Sequence, residues 1–101
     1  MFLQTAVMDV FPERLDQFLE LSGPMLRTLS EVPGVIAVTL TTDLSSPSRV
    51  IGLVRWESPA AYEAHLGLLD RVQWREKVSG EFLRKPLEEE FFTKTEMARH
   101  D

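Results

Sequence analysis

Two neighbouring β-branched runs, Val35 to Thr42 and Val50 to Trp56, are apolar on both of their faces. In the first, Ile36, Val38 and Leu40 alternate with Val35 and Ala37; in the second, Val50, Val54 and Trp56 alternate with Ile51 and Leu53. Successive strand side chains point to opposite sides, so a sheet built on this pair is greasy on both surfaces. A sheet covered by helices on one side alone should carry polar residues on the other, so something has to conceal the second surface. At ~25 cal/mol per Å², hiding a few hundred Å² of it would contribute several kcal/mol to association. A second copy of the chain, packed sheet to sheet, is the simplest cover. The expectation is a homodimer through the open sheet face.

The remaining segments supply the partners of this pair. Phe2 to Val10 reads as a strand, with Phe2, Ala6, Met8 and Val10 on one side and Leu3, Thr5 and Val7 on the other. Pro12 suits a first helical position, with Glu13 placed well for the helix dipole. Phe11, Leu15, Phe18, Leu19, Ser22, Leu26 and Leu29 then recur at helical spacing. Pro24 lacks a backbone donor and would clash with the carbonyl of Glu20, which predicts a kink or a split into two helices there. Pro33-Gly34 is a turn signal, and Asp43 to Ser48 reads as the loop of an antiparallel hairpin. Ser58-Pro59 starts a helix whose face carries Tyr62, His65/Leu66 and Leu69. Gly67 and Asp70 mark a break, with Asp70 capping a second piece striped by Trp74, Val78 and Phe82. Lys85-Pro86 ends that piece, and Glu90 to Thr95 reads as the last strand.

The order β-α-β-β-α-β predicts an α+β fold, a ferredoxin-like antiparallel sheet with both helices on one face. The 101 residues support one domain, placed at 1–95, with a polar tail over 96–101. Composition narrows the chemistry. With no cysteine and two histidines, thiolate chemistry is absent and a transition-metal site built by the protein is not expected. A net charge of −5 argues against nucleic acid as a partner. No apolar run reaches the ~18 residues of a membrane span, and the N-terminal segment does not have the pattern of a signal peptide; no membrane partner and a cytoplasmic location are expected. Gly-rich phosphate loops, HExxH and GxSxG are missing.

The run PGVIAVTLTTDLSSPSRVIGLVRWESPAAYEAHL resembles the antibiotic biosynthesis monooxygenase (ABM) domain family. The resemblance rests on Pro33-Gly34 before the second strand, Trp56-Glu57-Ser58 closing the third, and Tyr62 and His65 on the helix that follows. Lys85-Pro86 and the acidic-aromatic strand behind it are similar to the family's close, so the resemblance spans roughly residues 2 to 95. It implies a dimeric α/β barrel. It also implies a choice of activities: cofactor-free oxygenation of quinol- or anthrone-type aromatics, haem cleavage, or reactions on small signalling molecules. Haem-cleaving members use an axial His, a Trp and an Asn; aligned on Trp56, the Trp position holds His65, the His position holds Arg75, and this chain has no Asn. Haem degradation is therefore disfavoured, and anthrone oxygenation loses some support.

The expected function is a cofactor-independent monooxygenase acting on a small aromatic or quinol-like compound. Two alternatives stand beside it: a non-catalytic ligand-binding or scaffold dimer, and an isomerase or lyase on a small carbonyl compound. Triplet O2 reacts slowly with closed-shell organics, so such an oxygenase first deprotonates its substrate. A histidine is the natural base for that step, and His65 is the candidate. Tyr62 is the orienting hydrogen-bond donor, Trp56 and Trp74 are the stacking walls, and Phe18 and Phe82 complete the substrate pocket. No cofactor is expected. Each of these side chains also has a plain packing role. The basic residues Arg71, Arg75, Lys77, Arg84 and Lys85 read as a solvated helix face, or else as a rim that draws anionic substrates. Glu88-Glu89-Glu90 reads as the solubilising start of the last strand.

Overall fold

Alternation and turn chemistry place the strands where apolar residues recur every second position. The computed structural model describes residues 2–66 and 69–93. Strand β1 is Phe2–Asp9, followed by a 3-10 turn at Pro12–Arg14 and helix α1 at Leu15–Ser30. Strands β2 (Val35–Asp43) and β3 (Ser46–Trp56) form a hairpin. Helices α2 (Pro59–His65) and α3 (Leu69–Glu81) lead to β4 (Glu88–Thr93). The sheet has the order β2-β3-β1-β4 with every pair antiparallel, which is the ferredoxin-like arrangement.

The helix starts follow from local chemistry. Ser58 caps α2 by accepting the Ala61 N–H at 3.2 Å, and Pro59 occupies the first turn, where its missing donor is not needed. Gly34 adopts φ +90°, and a Cβ built there would lie 2.4 Å from the Ala61 Cβ. A bare backbone at this turn therefore lets α2 settle against the start of β2. The core joins Met8, Val10 and Val50 of the sheet side to Phe18 of α1 and to Val78, Phe82 and Leu83.

Several expectations are corrected. Pro24 lies inside a single helix; α1 does not divide, since the one bond Pro24 forfeits is outweighed by a helix buried through Phe18 and Ser22. Phe11 and Leu19 of the proposed stripe are about 40% exposed (39% and 37%). The hairpin is tighter than the predicted Asp43–Ser48 loop, with only Leu44 and Ser45 between the strands. Asp43 closes it, its Oδ1 accepting from the backbone N–H of Ser45 at 3.0 Å and from the Ser45 hydroxyl at 2.9 Å. A register shift between Val35 and Ala37 sets Val35 opposite Trp56 and leaves Ile36 as the extra, 52% exposed residue. Val35 thus shares the side of Val38 and Leu40 instead of the opposite side predicted for it. Helix α3 begins at Leu69, so Asp70 lies within its first turn; Gly67 is outside the described residues. Strand β4 starts two residues early, and the tail over 96–101 also lies outside the described residues.

The sheet surface away from the helices carries Leu3, Val7, Ile51 and Leu53, all half-buried, with Phe92 beside Leu3 and 46% exposed. Thr5, Thr39 and Thr41 interrupt this apolar area, and Glu88 and Glu90 border it at the β4 edge. Among the described residues, no helix is long and apolar enough to cross a membrane.

Candidate functional site

Between the helix side of the sheet and helices α1 and α3 lies a cavity of about 590 Å³. Its walls are mostly apolar: Met8, Leu40 and Val54 from the sheet, Leu21 and Met25 from α1, and Trp74 from α3. A volume above ~300 Å³ is in the range of small-molecule sites.

A strip of polar side chains crosses the wall. Trp56, fully buried, donates its indole N–H to Oε1 of Gln4 at 3.1 Å. Gln4 in turn donates through Nε2 to Oε2 of Glu89 at 2.8 Å, and the other oxygen of Glu89 takes Nη2 of Arg75. The chain of contacts runs from β3 through β1 and β4 to α3, and all four residues line the cavity. Register dictates it: Trp56 faces Phe2 on β1 while Gln4 faces Phe91 on β4, so one step along the alternation puts Gln4 and Glu89 on the same side.

His65, buried at the end of α2, also lines the cavity, with its ring 5.5 Å from that of Trp56. Tyr62, one turn earlier, packs away from the cavity into an aromatic cluster. Its ring lies 5.1 Å from Phe91, 5.6 Å from Phe2 and 5.7 Å from Trp56. Phe18 and Phe82 meet each other in the core at 6.1 Å and are not on the cavity wall. The fold thus gathers Trp56, Trp74 and His65 around one cavity and sets Tyr62, Phe18 and Phe82 behind it. Among the described residues, no group of three or more His, Asp or Glu side chains is placed to hold a metal ion.

Gln4 and Glu89 were not among the expected site residues. Their signal was parity: Gln4 alternates with Leu3 and Thr5 on the side of Met8, and Glu89 alternates with exposed Glu88 and Glu90. Of the basic group, Arg75 pairs with Glu89, while Arg84 and Lys85 lie 3.8 and 3.6 Å from the carboxylate of Asp9. That much fits a helix face paired with acidic neighbours.

The family model for antibiotic biosynthesis monooxygenases matches residues 1–77. The chain belongs to that family. No curated protein sequence matches it. Among solved structures it is similar to a Deinococcus radiodurans protein of the antibiotic biosynthesis monooxygenase type, at 17% identity and TM-score 0.89, covering 100% of this chain and 99% of that one. It is also similar to Rv0793 of Mycobacterium tuberculosis, at 18% identity and TM-score 0.85, with 97% and 98% covered. A third is the monooxygenase of the ActVA-Orf6 gene of Streptomyces coelicolor, solved with the ligand nanaomycin D. It is 25% identical with TM-score 0.81, over 99% of this chain and 92% of that one.

Proposed function

We propose that the protein is a homodimeric, cofactor-independent monooxygenase that oxidises a small aromatic or quinol-like compound in this cavity. The observation that carries the reading is the buried His65 on the wall of a large apolar cavity, beside the ring of Trp56. Membership of the family and the likeness to the Streptomyces coelicolor monooxygenase support it.

His65 removes a proton from an activated ring methylene or hydroxyl, and the resulting anion is electron-rich enough to pass an electron to O2. An activated methylene then becomes a carbonyl: one oxygen atom enters the product, and the other leaves as water with the two methylene hydrogens. The methylene carbon supplies all four electrons that O2 takes up, so no external reductant is required. The apolar walls keep bulk water from quenching the anion. Trp56 and Trp74 provide flat surfaces for the ring, and the hydrogen bond from Trp56 to Gln4 fixes the indole in place. Tyr62 supports Trp56 from behind. The open sheet face around Leu3, Val7, Ile51 and Leu53 is the surface on which a second copy would pack.

Metal-stripped protein should consume O2 when given electron-rich phenols or hydroquinones. His65→Ala should abolish that uptake while leaving the oligomer intact. Equal uptake by the variant would end the role of His65, and equal turnover under argon would move the protein to the isomerase or lyase class.

A further inference from the structure

The cavity wall reverses the charge of the protein around it. The chain carries a net charge of −5, yet among the described residues the Asp, Glu, Lys and Arg side chains on this wall are Arg75, Lys77 and Glu89, two cations against one carboxylate. That carboxylate is already engaged at both oxygens, by Arg75 and by Gln4. The donors are not exhausted. An arginine offers five N–H groups and a lysine three, and Lys77 makes no ion pair among the described residues. The orientation of Gln4 is fixed, because an indole can only donate and a carboxylate only accept, and its amide keeps a second N–H. Among Gln4, Arg75, Lys77 and Glu89 donors are in surplus, so a fitting ligand brings acceptor oxygens of its own to this part of the wall.

Position separates the two cations. Two residues apart on a helix, Arg75 and Lys77 leave α3 on different flanks, with Trp74 between them on the cavity wall. Arg75 is committed to Glu89. Lys77 stands on the ridge shared with a neighbouring hollow bordered by Glu20 and Glu81, and neither of these acids forms an ion pair with it. Lys77 is exposed at the rim, so its ammonium reaches a ligand anion at short range through a field that solvent and salt partly screen.

We propose that the cavity takes an aromatic carboxylate, its ring in the apolar interior and its charged group at Lys77. The inference rests on the reading of this cavity as the substrate site and names the class of substrate it selects. Neutral carbonyl or hydroxyl oxygens of the same molecule would meet the remaining donors of Gln4 and Arg75.

The test compares anthraquinone-2-carboxylate with anthraquinone-2-carboxamide, which share shape and differ in charge, by quenching of the tryptophan fluorescence at neutral pH and low salt. The carboxylate should bind about ten-fold more tightly. That preference should shrink toward unity at roughly 0.5 M salt, where screening shortens to a few Å, and in Lys77→Gln, and it should reverse in Lys77→Glu. Lys77 is exposed, so these variants are expected to fold, which circular dichroism verifies. Equal affinities in the wild type, or a preference that survives Lys77→Gln, overturns the proposal and leaves the oxygenase reading standing. Failure of both compounds to bind overturns the two together.

Discussion

The Gln4 amide reaches the Glu89 carboxylate at 2.8 Å across 85 positions of sequence, joining the first strand to the last. With Trp56 on one side and Arg75 on the other, this contact ties both ends of the chain to the hairpin and to α3. It is also part of the cavity wall, so stability and site geometry share the same bonds.

Gln4→Leu removes the acceptor of the Trp56 indole and one donor to Glu89. A buried donor left without a partner costs about 1–3 kcal/mol, and chemical denaturation should show a loss of that size. Trp56→Phe combined with Gln4→Leu should cost less than the sum of the two single changes, by about 0.5–1.5 kcal/mol, because the second change removes the orphaned group.

Gly34→Ala tests the close approach of α2 to β2. The substitution forces a side chain into φ +90° and sets its Cβ 2.4 Å from that of Ala61. A loss of about 2 kcal/mol or more is expected. Ala61→Gly in the same protein should recover the steric part of it and leave the backbone part.

Asp43 should titrate below the usual aspartate value of 3.8, because the Ser45 backbone N–H, the Ser45 hydroxyl and Arg49 all favour its ionised form. A depressed carboxyl stabilises the folded state above its unfolded pKa, and that contribution disappears as pH falls through the folded pKa. Nuclear magnetic resonance of the Asp43 carboxyl should show the low titration point. In Asp43→Asn, the part of the acid-side loss of stability that belongs to this residue should be missing.

Leu53→Glu places a charge at the centre of the open sheet face, where Leu53 lies between Thr5 and Thr39. If a second copy packs there, sedimentation should give twice 11.6 kDa for the wild type and 11.6 kDa for the variant. A wild-type monomer at micromolar concentration would remove the dimer from the proposed function.

Much of the fold was legible because its determinants are local. The Ser58-Pro59 helix start can be read from a few neighbouring residues and the structure repeats it; of the Trp74, Val78 and Phe82 stripe the apolar packing is repeated, though α3 ends at Glu81, before Phe82 and short of the expected end at Lys85-Pro86. The two-sided strands also carried through: Ile51 and Leu53 share the outer face with Leu3 and Val7. The site was legible only in part. His65, Trp56 and Trp74 line the cavity, but the partners that hold and charge its wall were hidden. Glu89 sits in an acidic triplet that reads as solubilising, and nothing near it in sequence says which of the three turns inward.

What the sequence determined by itself is the set of elements, their order and their apolar faces, since propensity, capping and alternation act over a few residues. What only the tertiary structure decided is register: the bulge that sets Val35 opposite Trp56 and leaves Ile36 unpaired, and the pairing that brings Gln4, Trp56, Arg75 and Glu89 onto one wall. The reason is the two-residue period of a strand. A slip of one position between β1 and β4 would turn Glu89 to solvent, and that choice is settled by the packing of the whole sheet against its helices.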